Sequence, residues 1–310
     1  MADHPSISGI PLVLGGNVFG WTADEETSFA VFDKFYEHGG RMIDTAQVYS
    51  AWVDGNQGGE SETVIGKWLD SRNIRKDMRI ATKTNAGGDA GGLAPAKIAE
   101  ELEKSLERLK TDYVDLYYAH RDDTSTPMEE IVEGFNTLLD TGKIKEIGAS
   151  NFDYDRLTIN INIAQRKSMK PFTVLQNEYN LVERNAFSKQ LKTVCRNNEI
   201  AMFPYFGLAS GFLTGKYRQK SDLKDSQRGS MIENLFDKGQ KILPVLDEIV
   251  EEIEASHAAV ALAWLLAQPA IAAPIASART PEQLDDLLEA TRLNLTENQI
   301  TRLSEAGQSS

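Results

Sequence analysis

Arg79-Ile-Ala-Thr-Lys83 is followed by Gly87-Gly-Asp-Ala-Gly-Gly92, then by Pro95–Leu109, then by Val114-Asp-Leu-Tyr-Tyr-Ala-His120. The first and last segments are short, apolar and rich in β-forming residues. Pro95–Leu109 has helical periodicity, and the glycines read as a flexible connection. The stretch is therefore one β-loop-α-β unit, and the same alternation extends in both directions. Strands are predicted at Pro11–Gly15, Arg41–Asp44, Arg79–Lys83, Val114–His120, Ile144–Ser150, Thr173–Gln176, Ile200–Tyr205 and Ile271–Ile275. Helices are predicted at Glu25–His38, Ser61–Ser71, Pro95–Leu109, Pro127–Asp140, Tyr154–Gln165, Phe187–Asn197, Gly239–Gln268 and Pro281–Ala290. Alternating elements imply a parallel sheet, and eight repeats favour a closed (β/α)8 TIM barrel over an open sheet.

Ser61, Thr126-Pro127 and Thr280-Pro281 are expected at helix starts, where a cap or a proline is suited to the first turn. Three segments stand outside the repeat. Ser6–Leu14 reads as a short N-terminal hairpin, and Gly211–Lys238 as a long insertion carrying Lys216, Arg218 and Arg228. Thr296–Glu305 reads as an extra C-terminal helix. A loop of that length in a compact domain is usually functional. With no low-complexity tract or Pro/Ser-rich linker, residues 1–310 are read as one α/β domain.

Composition narrows the function. Net charge is −13, so nucleic acid and anionic membranes would be repelled. The richest apolar run, Ala258–Ala267, is far shorter than a membrane span. Met1–Gly9 lacks a basic segment, so no signal peptide is expected, and the one cysteine, Cys195, suits a reducing cytoplasm. No metal site is expected.

In a barrel the C-terminal strand ends converge on one mouth. Asp44, Lys83 and His120 end the second, third and fourth strands, sharing parity with Met42, Ala81 and Tyr118, so each can point inward. Tyr49 follows in the loop above Asp44. Each residue has a plainer reading: a turn cap, a solvated strand end, a packed aromatic, an ordinary histidine. Together they suit carbonyl reduction, in which a nascent alkoxide takes a proton. Lys83 would lower the pKa of Tyr49, Asp44 would hold Lys83, and His120 would orient the carbonyl.

Gly40-Arg-Met-Ile-Asp-Thr-Ala-Gln-Val-Tyr49 with Gly59-Glu-Ser-Glu-Thr-Val-Ile-Gly66 resembles the first signature of the aldo-keto reductases. Ile80–Lys83, Asp112–His120, Ile147–Phe152, Leu175–Leu181 and Ser210–Lys216 are similar to the following blocks, in order. The resemblance runs from about Leu12 to Ala290 and implies a catalytic tetrad of Asp44, Tyr49, Lys83 and His120. It further implies NADPH, with NADH as the alternative, extended across the mouth. Ser150, Asn151 and Gln176 would hold its carboxamide, with Tyr205 under the ring. Leu208, Ala209 and Ser210 would line the pyrophosphate path, with Lys216 and Arg228 supplying charge, and Ser277, Arg279, Gln283 and Asp286 would stand at the adenosine end; Asn17, Asp44, Phe206 and Gly207 would be further cofactor-binding residues. Leu287 stands where relatives usually carry Asn. No G-x-G-x-x-G follows a strand.

Trp21, Trp52 and Phe152 are expected to wall a pocket for the carbonyl substrate, for which aldehydes, ketones, keto-sugars and polycyclic ketones all stay open, or for the alcohol in the reverse direction. A regulatory, cofactor-sensing subunit of the same fold is the competing reading. An isomerase or aldolase on a phosphate-binding barrel is a third. A homo-oligomer is compatible with all three.

Overall fold

The computed structural model describes residues 9–224 and 229–307. Its strands are β1 (Val13–Gly15), β2 (Met42–Asp44), β3 (Arg79–Thr84), β4 (Leu116–Ala119), β5 (Ile147–Ser150), β6 (Val174–Gln176), β7 (Ala201–Met202) and β8 (Ile275–Ala276). All pairings are parallel, in the order β7-β6-β5-β4-β3-β2-β1-β8. Around them run α1 (Glu25–Glu37), α2 (Glu60–Arg72), α3 (Pro95–Leu109), α4 (Met128–Asp140), α5 (Tyr154–Lys167), α6 (Lys189–Asn197), α7 (Gly229–Gly239), α8 (Leu243–Ile253), α9 (His257–Leu266), α10 (Pro281–Ala290) and α11 (Glu297–Ala306). The fold is the (β/α)8 barrel.

Alternate residues of each strand serve two cores. Val13, Met42, Ala81, Leu116, Tyr118, Val174 and Ala201 fill the barrel interior. Leu14, Ile43, Ile80, Tyr117, Ala149, Leu175 and Met202 face the helices. Gly148 is glycine because a side chain there would meet the Tyr118 ring at 2.6 Å.

The last seam is the loosest. The predicted strand Ile271–Ile275 shifts to Ile275–Ala276, because Pro274 cannot donate to a ladder. An isolated Met202–Ile271 bridge and three backbone bonds close the barrel: Met202 N to Ala270 O (3.0 Å), Ala272 N to Met202 O (2.9 Å) and Ile275 N to Pro204 O (2.9 Å).

Other boundaries also move. The helix predicted over Gly239–Gln268 is broken: α7 ends at Gly239, Pro244 starts α8, Glu254 adopts φ 54° and Ser256 caps α9. Chain stops in the sequence outweigh its continuous apolar periodicity there. The insertion holds α7, whose Ile232 and Phe236 are buried. Thr280 caps α10 as expected. Ser61 does not cap α2; Gly59 does, at φ 89°, while the Ser61 hydroxyl turns inward to Gly16 O and Thr45. Pro127 precedes α4 rather than opening it. Of the N-terminal hairpin, the structure describes an antiparallel Gly9–Gly40 bridge; residues 6–8 lie outside the described residues.

Candidate active site

Parity places Asp44, Lys83, His120 and Gln176 at the mouth, each two or four residues beyond an interior core residue of its strand. Lys83 is 0% exposed, and its ammonium is ion-paired to Asp44 Oδ1. It also donates to Thr45 O (2.8 Å) and Tyr49 Oη (2.9 Å). These three acceptors match the three protons of an ammonium. Gln176 Nε2 holds the second carboxylate oxygen of Asp44 at 2.8 Å, so the buried charge pair is hydrogen-bonded on every side.

Burial alone would strip the proton from Lys83. Asp44 and the Tyr49 oxygen more than reverse this and hold the ammonium above the ordinary lysine range. At Tyr49 the balance runs against the expectation from sequence. Burial pushes the phenol up, Lys83 pulls it down, Asp44 pushes it up again, and the pKa stays above its ordinary value of 10.0. The Tyr49 phenol is therefore protonated at neutral pH. His120 is pushed well below its ordinary value, first by burial and then by Lys83 and Arg121, so its ring is neutral. His120 Nδ1 is buried without a partner among the described residues. The ring lies 6.1 Å, centroid to centroid, from that of Tyr49.

Beside the tetrad, Ser150 Oγ donates to Gln176 O (2.7 Å), and Asn151 Nδ2 reaches Ser150 Oγ (3.1 Å) and His120 O (2.9 Å). Tyr205 Oη donates to Asn151 Oδ1 at 2.7 Å, fixing its ring at the mouth, edge-on to Phe206. Both amide hydrogens of Asn151 are thus committed within the protein. Beyond Tyr205 the chain turns sharply: Phe206, Ala209, Ser210 and Gly211 all have positive φ. These conformations make close turns, in which Ala209 N donates to Phe206 O (2.7 Å) and Gly211 N to Leu208 O (2.9 Å). Gly207 packs against Leu262 and Leu265, and Leu208 is partly buried. Lys216 is exposed, over the Tyr217 ring, while Arg228 lies outside the described residues.

Ser277 Oγ donates to Asn17 Oδ1 at 2.6 Å, joining the ends of β8 and β1. At the start of α10, Arg279 N donates to Gln283 Oε1 (3.0 Å), and Thr280 caps the helix. The exposed Arg279 side chain makes no ion pair among the described residues; Asp286 is also exposed, and Leu287 is in the core. Trp21 packs edge-on to Trp52 (5.6 Å), and Trp52 to Tyr49 (6.2 Å). Phe152 does not join them. It is 1% exposed and packs on Phe172, so it belongs to the core behind β5. Sequence reasoning missed the Thr45 carbonyl, since a backbone acceptor leaves no side-chain signature. It also passed over Arg121, the residue directly after the block ending at His120.

Residues 11–308 match the Aldo/keto reductase family. The chain is 34% identical to the uncharacterized oxidoreductase YrpG of Bacillus subtilis (strain 168), covering 95% of this chain and 91% of the relative. It is 32% identical to the aldo-keto reductase YhdN of the same organism, covering 90% and 82%. It is 28% identical to a norsolorinic acid reductase of Aspergillus flavus, covering 96% and 77%. On the family match across nearly its whole length, this chain belongs to the aldo/keto reductase family.

Proposed function

We propose that the protein is an NADPH-dependent reductase of small aldehydes or ketones, with Tyr49 as the proton donor. The observation that carries this is the fully buried Lys83 ammonium held between Asp44 and the Tyr49 hydroxyl at the strand ends. An isolated buried ammonium is too costly to keep without a purpose or a partner, and here it has both.

The mouth fits a nicotinamide cofactor by its donors and shape. Gln176 is anchored through Nε2, which leaves its carbonyl oxygen for an amide; the rigid Tyr205 ring suits a flat heterocycle; the positive-φ run Phe206–Gly211 suits a pyrophosphate. Ser150, bonded to Gln176 O, and Asn151 would hold the carboxamide with Gln176, and the linked pairs Ser277–Asn17 and Arg279–Gln283, with Asp286, would meet the adenosine end. A bound reduced nicotinamide supplies hydride to the carbonyl carbon. Tyr49 Oη passes its proton to the carbonyl oxygen, and the Lys83 ammonium stabilises the phenolate left behind. Asp44 and Gln176 keep Lys83 in place and charged. The neutral His120 imidazole orients the carbonyl without competing as an acid. In the reverse direction the same phenolate accepts the alcohol proton.

Purified protein mixed with NADPH and a panel of aldehydes and ketones, followed by cofactor absorbance, should show carbonyl-dependent oxidation. Cofactor binding without turnover of any carbonyl would favour a regulatory role.

A further inference from the structure

Arg121 follows His120 directly, on the loop that leaves β4 at the mouth. Its guanidinium makes no ion pair or hydrogen bond among the described residues, although acids surround it in sequence. Asp122 is held bidentately by Arg156, at 2.6 and 2.8 Å. Asp123 accepts from Leu93 N, Ser125 and Thr126. Both neighbouring carboxylates are thus committed elsewhere, and Arg121 remains an uncompensated cation. Its stem runs beside Gly88, where an added Cβ would lie 3.6 Å from Arg121 Cβ and Cδ, and its carbonyl accepts from Asn85 Nδ2 at 3.3 Å. Both contacts brace the base of the side chain from the loop after β3.

The charge is felt inside the mouth. Arg121 helps depress the pKa of His120 and opposes the rise at Tyr205, so it lies within electrostatic reach of both rings. Glu178 acts on Tyr205 as well but forms no ion pair with Arg121. Lys83 and Asp44 pair with each other and Glu178 opposes Arg121 at Tyr205, so the Arg121 guanidinium, beside His120, is the cation that an anionic group at the entrance would meet. In a chain of net charge −13, an anionic substrate gains from such a local cation.

We infer that Arg121 is a specificity-determining residue that selects carbonyl substrates bearing a carboxylate. This rests on the carbonyl-reductase reading of the site. A guanidinium pairs a carboxylate through two parallel hydrogen bonds, and Trp52, 49% exposed and edge-on to Tyr49, offers apolar surface for the rest of the substrate.

The test compares 4-carboxybenzaldehyde with benzaldehyde on the wild-type protein and Arg121→Gln, with NADPH. Wild type should prefer the carboxylate. The variant should lose about tenfold to a hundredfold in kcat/KM for it, mostly through KM, and stay within about twofold on benzaldehyde. The carboxylate preference should also shrink as salt rises. Equal losses on both aldehydes, or none on either, overturn the role of Arg121 while leaving the reductase reading intact. Tryptophan quenching by 4-carboxybenzaldehyde reads binding without turnover. If neither aldehyde is reduced but quenching still depends on Arg121, the carboxylate site stands and the reductase reading falls. If quenching is the same in both proteins and nothing is reduced, both fall.

Discussion

At Tyr49 the proposed chemistry depends on one oxygen. Tyr49→Phe removes it, leaves the ring against Trp52 and His120, and touches nothing expected to hold the cofactor. Turnover should fall to a small fraction of wild type, while NADPH affinity stays nearly unchanged. Retention of more than about a tenth of kcat, a loss below roughly 1.4 kcal/mol, would remove Tyr49 from the role of donor. Protonation gives a second check. Reduction needs the phenol protonated, and its pKa lies above 10.0, so activity should persist at mildly alkaline pH and fall only as pH rises past that range. The His120 pKa is depressed well below 6.5, so the pH profile of kcat/KM should show no step near that value. A step there would mean that His120 titrates as the acid. Lys83 and Asp44 form a third case. Truncating either strands a buried charge, at a cost of about 3 to 5 kcal/mol. The double variant Asp44→Asn with Lys83→Met should be no worse than the poorer single; additive unfolding free energies in urea would show that the two are not coupled.

Elements carry these residues, and their legibility differs. Asp44, Lys83 and His120 were readable because a strand has a period of two: knowing that Met42, Ala81 and Tyr118 are apolar fixes which way their neighbours two along must point. Where periodicity was the only guide, it misled. The helical periodicity over Gly239–Gln268 is continuous, yet Pro244 and Ser256 divide it, and both signals were visible in the sequence. Phe152 reads in the sequence as an aromatic of the pocket wall, but it follows a left-handed Asn151 (φ 60°) and its ring is in the core. The freedom of Arg121 could not be read at all, since it depends on Asp122 being taken by Arg156, 34 residues away. Helix α10 makes a prediction of its own. Its dipole favours an anion at the N-terminus, where Thr280 caps Gln283 N and Arg279, without an ion pair among the described residues, stands just ahead of the first turn. A charge-assisted contact with a 2′-phosphate is worth roughly 1.5 to 3 kcal/mol. Arg279→Ala should therefore weaken NADPH about ten- to a hundredfold and barely change NADH, both read by tryptophan quenching. Equal weakening of the two cofactors would refute the phosphate contact.

Across the whole molecule the barrel is not equally strong around its circumference. β3 and β4 pair over four residues, Ala81–Thr84 against Leu116–Ala119, whereas β7 and β8 form no continuous ladder. Their seam rests on the Met202–Ile271 bridge and three backbone bonds, lined by the small side chains of Ala270, Ala272 and Ala273. Small side chains bury little apolar area and add little to each bond they flank. The seam lies just below Tyr205 and the positive-φ run proposed for the pyrophosphate, so loosening it would loosen the cofactor site. Local opening is cheapest where hydrogen bonds are few and packing is light. In native-state hydrogen exchange, the amides of Met202 and Ala272 should therefore exchange at least about tenfold faster than those of Asp115 and Tyr117, an opening free energy lower by roughly 1.4 kcal/mol. Saturating NADPH should narrow that gap, because a ligand that binds only the closed barrel stabilises it by mass action. Equal protection around the ring without cofactor would mean that the barrel opens only as one cooperative unit. A gap that NADPH leaves unchanged would mean that the cofactor does not bear on this seam.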